Sequence, residues 1–186
     1  WKGDDEKDRC KKDGKIKIGV FSDKNPFGYV DENGDVQGYD IYFGKRLAKD
    51  LLGSEDDAEF TYVEAASRVE YLQSAKVDVI LANFTVTDDR AEKVDFALPY
   101  MKVALGVVSP DDALIKDVKD LEGKKIGAQV GTTGMFRAEK VPGAKVVTFA
   151  NAAETFLEFQ NGGVDAVIQD FPVVAYYVAQ GGNKGR

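Results

Sequence analysis

Three short segments carry the side chains that could do chemistry, and each follows a run that reads as a β-strand. The first is Ala82-Asn-Phe-Thr-Val-Thr-Asp-Asp-Arg90. Thr87 suits a helix N-cap, Asp88 and Asp89 suit the first turn, and Arg90 falls at the third helical position. A guanidinium there can grip a carboxylate through two parallel hydrogen bonds; the same spacing equally allows a surface arginine paired with Asp88 or Asp89. The second is Gly131-Thr-Thr-Gly134, a glycine turn into a helix. Its free N–H groups and the hydroxyls of Thr132 and Thr133 make an anion site, or an ordinary helix cap. No Gly-Lys-Ser/Thr follows, so it is not a P-loop. The third is Gln169-Asp170-Phe-Pro172, where the acid either accepts hydrogen bonds from an ammonium or caps a helix with Pro172 at an early position. Together they offer a cation, an anion-binding turn and an anion. An α-amino acid carries a carboxylate and an ammonium, and a site that pairs both selects zwitterions, because either charge is costly to bury alone.

Composition removes other chemistries. The 186 residues contain no histidine and one cysteine, Cys10. That excludes Ser-His-Asp and Cys-His catalysis, His-ligated zinc, Cys-rich metal sites and an internal disulfide. No metal and no cofactor are expected. With 25 basic and 32 acidic residues the net charge is −7, a poor match for nucleic acid or anionic lipid. No run approaches the roughly 18 apolar residues that span a bilayer, and the charged first residues do not read as a signal peptide. A mature form with its export signal removed fits the same sequence. Asp31, Asn33 and Asp35 have the early spacing of a calcium loop, but the glycine is misplaced and Tyr42 stands where a bidentate Glu is needed. Asn33-Gly34 reads instead as a hairpin turn. Asn83-Phe-Thr85 is also a glycosylation sequon, a use that a strand-end position disfavours.

The elements that must position these groups come as two similar halves. Lys-Ile-Gly occurs at 17–19 and 125–127, in strands predicted over 15–21 and 124–129. Val77-Asp78-Val-Ile80 follows a helix predicted over 68–75, and Val164-Asp165-Ala-Val-Ile168 follows one over 152–161. Asn83-Phe84 and Asp170-Phe171 then come next in each half. Such an echo implies two lobes of similar build, expected over 1–103 and 104–186. Helix 39–52 places Phe43, Leu47 and Leu51 on one face. Further strands are expected over 58–63, 101–108 and 143–150. Ser67-Arg-Val-Glu70 and Asn151-Ala-Ala-Glu154 read as helix-starting capping boxes. Alternating strands and helices predict an α/β chain with mostly parallel sheets, whose ligands sit at the carboxyl ends of the strands, here in a cleft between lobes.

The chain resembles the periplasmic-type (family 3) solute-binding proteins that serve polar amino-acid ABC transporters. The residues that carry the likeness are Lys15–Phe21, Pro26-Phe27, Gly38-Tyr-Asp40, the run from Asn83 to Tyr100, Val130-Gly-Thr-Thr133 and Val164–Pro172. The resemblance implies a two-lobe flytrap fold that closes on its ligand by hinge rotation. It implies that Arg90 clamps the ligand carboxylate, that Thr85 and the backbone of Ala82 or Asn83 line the same wall, that Thr132 and Thr133 also meet the carboxylate, and that Asp170 takes the ammonium. Phe21, Arg68, Gln129 and Gln169 fall where members read the ligand side chain. At position 68 relatives for acidic amino acids carry an arginine; a solvated residue in a first helical turn fits Arg68 equally.

The function so implied is an extracytoplasmic receptor that captures a polar L-amino acid and delivers it to an ABC permease. The expected location is periplasmic, or extracellular with a lipid anchor. The same fold also carries cyclohexadienyl dehydratase-like enzymes and sensor ectodomains. Members of the family return to the first lobe after position 186. The first lobe is therefore expected to be incomplete in this chain, to be completed by a missing segment or a separate chain, and to expose apolar surface. Cys10 stands where an aliphatic residue is expected, as a buried thiol or an engineered labelling site.

Overall fold

A computed structural model describes residues 3–182. Contacts divide the chain into two compact units, Trp1–Tyr100 and Met101–Arg186.

In the first unit, helix α1 (Gly3–Asp13) leads into β1 (Ile16–Val20). The short strands β2 (Asp23–Lys24), β3 (Gly28–Val30) and β4 (Val36–Gln37) form an antiparallel meander. Helix α2 (Tyr39–Leu52) follows, then β5 (Ala58–Tyr62), α3 (Arg68–Gln73), β6 (Val79–Leu81) and α4 (Asp88–Ala91). The main sheet has the order β5-β1-β6, parallel throughout, which is the arrangement that helical crossovers allow. α2 has the predicted bounds, and Phe43, Leu47 and Leu51 pack against Ile16, Ile18 and Val20. Gly53 ends it in a left-handed cap, φ 108°. Cys10 is 1% exposed within this core, which rules out a surface labelling position.

The Asn33-Gly34 turn closes the β3–β4 hairpin. Asp31 Oδ1 accepts from the backbone N–H of Asn33 and Asp35, both at 2.9 Å, so the carboxylate of the would-be calcium loop serves the turn. Several apolar side chains of this unit face solvent: Leu98 is 92% and Tyr42 71% exposed. Tyr39, Phe43 and Tyr100 stack on one another, with ring centroids 5.0–6.5 Å apart.

The second unit holds β7 (Leu105–Val108), β8 (Lys125–Gln129), α5 (Thr133–Ala138), β9 (Lys145–Phe149), α6 (Ala152–Gln160), β10 (Ala166–Asp170) and α7 (Phe171–Ala179). Its sheet runs β7-β10-β8-β9, parallel except for β7, which pairs antiparallel with β10. Leu121, Ile126, Ala128, Ala138, Ala166 and Ile168 form its core.

The sequence echo is one device built twice. Asp78 Oδ2 accepts the backbone N–H of Lys17 at 2.8 Å, and the Asp78 N–H donates to the Lys17 carbonyl at 2.8 Å. Asp165 does the same to Lys125, again at 2.8 Å in both directions. In each half the aspartate locks the start of one strand to the lead strand beside it. This corrects the predicted strand starts at 77 and 164: β6 and β10 begin two residues later, because those aspartates turn their side chains onto the neighbouring backbone. The capping box at Ser67 does not form either. Residues Ala65–Ser67 already wind as a 3₁₀ turn, so Ser67 has helical rather than extended backbone and caps nothing. Asn151 does cap, accepting from the Glu154 N–H at 2.9 Å. No described helix is long and apolar enough to cross a membrane.

Candidate functional site

The groups singled out in the sequence fall into two clusters, one in each unit. The first lies at the carboxyl edge of the β5-β1-β6 sheet. Phe21 directly follows β1, Ala82 and Asn83 follow β6, Arg68 opens α3 and Arg90 sits in α4. Arg68 is 2% exposed. Its Nε donates to the Ala65 carbonyl at 3.0 Å, and its Nη1 donates to the carbonyls of Ala82 at 2.8 Å and Asn83 at 3.1 Å. Asn83 adopts a left-handed backbone, φ 48°, at this bend in the chain. A non-glycine residue held there is a mark of an over-determined turn. The burial of Arg68 excludes the solvated reading.

Arg90 is 7% exposed, and its Nη1 donates to the Thr85 carbonyl at 2.8 Å. Thr87 caps its helix, accepting from the Arg90 N–H at 3.3 Å, as its position predicted. Asp89 pairs with Lys93 at 2.9 Å, and the burial of Arg90 removes the surface-arginine alternative. Thr85 itself is exposed; its carbonyl rather than its hydroxyl meets Arg90.

Two side chains to which the sequence analysis gave no role at the site complete this cluster. Both guanidinium groups lie over the Phe84 ring, the Arg68 carbon 4.5 Å and the Arg90 carbon 4.7 Å from its centroid. Each such contact is worth about 0.5–2 kcal/mol, more when water is excluded. Lys24 is 1% exposed, with its ammonium 4.0 Å above the Phe21 ring and 3.3 Å from Asp23 Oδ1. The Arg68 guanidinium is 5.5 Å from the same ring. Burial pushes the Lys24 pKa down; Asp23 opposes this and the charge of Arg68 adds to it. A lone lysine in a two-residue strand gives no sequence signal, because its neighbours are brought by the rest of the sheet edge. The Asn83-Phe84 echo did mark the aromatic position, though not its role.

The second cluster lies at the carboxyl edge of β8 and β10. Gln129 ends β8 and is fully buried; its Nε2 donates to the Ala150 carbonyl at 3.0 Å. Gln169 Nε2 donates to Gln129 Oε1 at 3.5 Å, and the Gln169 side-chain oxygen accepts the Asp170 N–H at 3.1 Å. The two glutamines thus form a chain that fixes the backbone at Asp170. Asp170 is 7% exposed and stands at the N-cap position of α7, but its side chain makes no capping hydrogen bond to that helix.

Thr132 is the cap of α5. Its hydroxyl accepts from the Met135 N–H at 3.2 Å and donates to the Gln129 carbonyl at 2.7 Å. Its one O–H donor is in use, so the half-buried Thr133 is the hydroxyl of this turn better placed to donate to an anion. Among the described residues no group of three or more acidic or cysteine side chains could hold a metal ion.

The ABC transporter glutamine-binding protein GlnH of Bacillus subtilis (strain 168) is 36% identical over 159 residues, which are 84% of this chain and 58% of the relative. The chain therefore spans less than two thirds of the length of that curated relative. A solved structure of the solute receptors for L-cysteine of Neisseria gonorrhoeae is 48% identical with a TM-score of 0.89, covering 95% of this chain and 72% of that one. The ancestral amino acid-binding protein AncCDT-1, described as a precursor of cyclohexadienyl dehydratase, is 36% identical with a TM-score of 0.88, covering 94% of this chain and 78% of that one. Residues 16–170 match the family of bacterial extracellular solute-binding proteins, family 3, and the chain belongs to it.

Proposed function

We propose that the chain captures a polar L-amino acid outside the cytoplasm and hands it to the permease of an ABC transporter. The observation that carries this reading is the pair of buried guanidinium groups held at the carboxyl edge of a parallel sheet. Arg68 and Arg90 are fixed there by backbone carbonyls and the shared Phe84 ring. In this reading Arg90 takes the ligand carboxylate, with Thr85 and the Ala82–Asn83 backbone beside it. Thr133 and the backbone of its turn assist, and Asp170 takes the ammonium. Phe21, Arg68, Gln129 and Gln169 shape the side-chain end. The receptor works by binding alone, in the periplasm or anchored at the cell surface. L-Cysteine and L-glutamine are the first ligands to try, since similar proteins are described as binding them.

Isothermal calorimetry with the common amino acids tests the proposal. Removing one partner of a buried charge pair costs about 3–5 kcal/mol. Arg90→Ala should therefore lose at least about a hundredfold in affinity, at about 1.4 kcal/mol per tenfold. Unchanged binding in that variant removes Arg90 from the site. The likeness to a dehydratase precursor supports a second reading, an enzyme. Turnover of prephenate would establish it; an amino-acid ammonium partner at Asp170 argues against it.

A further inference from the structure

Residues 96–103 carry the chain from the first unit to the second and form neither helix nor strand. Among the described residues this stretch makes one hydrogen bond: the Tyr100 hydroxyl donates to Asp40 Oδ1 at 2.9 Å. The group it is tied to is firmly held. Asp40 stands in the first turn of α2, where the N–H groups of Tyr39 and Asp40 donate to the Pro26 and Phe27 carbonyls at 3.0 and 2.9 Å. The Tyr100 ring stacks on Phe43 and Tyr39. Asp40 is fully buried and Tyr100 is 38% exposed. The ring that reaches the carboxyl group therefore also reaches solvent, and its departure would admit water. Asp40 Oδ2 has no partner among the described residues. A buried oxygen left so is costly on a carboxylate and far less so on a neutral carboxylic acid. The charged residues of α1, Lys17 of β1, Tyr29 of β3, Glu59 of β5 and the acids at 55–57 lie on elements packed against α2, and none of them acts on Asp40. The titratable groups that face the pair are Tyr100 itself and, beyond it, Tyr39.

We propose that the Asp40–Tyr100 contact is a proton-sensitive clasp on the crossing between the two units: Asp40 positions Tyr100 while it carries a proton, and loss of that proton releases the crossing. This rests on the capture reading above and adds a control to it, because a receptor that closes on its ligand turns about that crossing. A released crossing must be ordered again on closure, which weakens binding. The sign follows from burial. Burial raises the Asp40 pKa from 3.8 to about 7, with the Tyr100 bond opposing, and a carboxylate reached by water returns towards the ordinary value. The proton therefore favours the clasped state, and the clasp weakens as pH rises through about 7. Tyr100 is pushed well above its ordinary value, by burial first and Asp40 second, so it stays the donor throughout.

Trypsin cleavage of the full chain after Lys102, which is exposed and lies inside the stretch, reads the open population. Each rate is divided by that of Tyr100→Phe at the same pH, a variant that keeps the ring and lacks the hydroxyl. The division cancels the protease's own pH dependence. From pH 6 to pH 8 the wild-type ratio should rise by about five- to tenfold, as loss of a proton at about pH 7 dictates. Asp40→Asn has no proton to lose and should keep its pH 6 ratio throughout. Should Tyr100→Phe not fold, Asp40→Asn serves as the divisor. Calorimetry with L-glutamine and L-arginine, whose charges do not change over this range, should show wild-type affinity falling by about threefold or more. A flat wild-type cleavage ratio, or an Asp40→Asn ratio that follows the wild-type course, overturns the clasp. Flat affinity overturns its part in capture, as does a fall that survives in Asp40→Asn, which retains Lys24, an amine whose pKa burial also lowers. No binding of any common amino acid overturns the capture reading, and the cleavage ratio still decides the clasp.

Discussion

The duplicated aspartate lock makes a paired experiment possible, because the same two hydrogen bonds occur in different surroundings. Asp78 has a side chain only 3% exposed, pairs with Arg9, and takes the Lys17 N–H at 2.8 Å. Asp165 is exposed and takes the Lys125 N–H at 2.8 Å. In Asp78→Ala the Lys17 N–H loses its acceptor in a partly buried place, which costs about 1–3 kcal/mol, and Arg9 loses its partner in addition. A total near 3 kcal/mol is expected. In Asp165→Ala water replaces the lost oxygen, and the cost should stay under about 1 kcal/mol. For a chain of this size that corresponds to melting shifts of about 6–12 °C against about 2–4 °C. Two compact units need not melt together, so hydrogen exchange at the amides of Lys17 and Lys125 is the sharper assay. Each amide should lose protection only in its own variant, with the larger loss at Lys17. Equal losses, or a larger one at Lys125, would refute the argument from burial.

Three further outcomes are expected. Asp40 is buried with Oδ1 bonded to the Tyr100 hydroxyl at 2.9 Å and no partner at Oδ2 among the described residues, and burial raises its pKa from 3.8 to about 7. Between those values the folded chain keeps a proton that the unfolded chain has lost, so stability falls as pH rises, by about 1.4 kcal/mol per unit. The melting temperature of Asp40→Asn relative to wild type should climb from pH 4 to 7 and then level off; a constant difference contradicts the burial argument. Cys10 is buried, and its thiol is pushed up to about 11 by burial first and by Asp78 second. Ellman's reagent should label it in denaturant and leave the folded chain unlabelled over an hour. Gly38 has φ 118°, and a Cβ there would lie 2.6 Å from the Phe27 carbonyl carbon and 2.9 Å from the Pro26 oxygen. Gly38→Ala should cost about 3 kcal/mol or more in urea unfolding, whereas Gly34→Ala, with φ 85° but open space, should cost only about 1–2 kcal/mol.

Much of the architecture was legible because it is written locally. α2 could be placed from the spacing of Phe43, Leu47 and Leu51. The Lys-Ile-Gly and Val-Asp echoes pointed to two similar halves before any coordinate did. What misled was also local: Ser67 and Glu70 have the spacing of a capping box, but the preceding 3₁₀ turn takes away the extended backbone a cap requires. The site was legible at Arg90, whose cap and helical position follow from Thr87-Asp-Asp. Arg68 was ambiguous, since a first helical turn can face water or a sheet edge, and only the carbonyls of Ala82 and Asn83 decide it. Lys24 was invisible. Its burial is created by Phe21, Asp23 and Arg68, residues that one loop and one helix bring together.

The Phe84 ring that both guanidinium groups share ties their evolutionary fates together. Any substitution at 68 that repositions the ring also alters the support of Arg90, so a change of ligand preference would come with a change in general affinity. Mutational effects at 68, 84 and 90 should then be strongly epistatic, and lineages that switch ligands would be expected to pass through compensating changes at the ring.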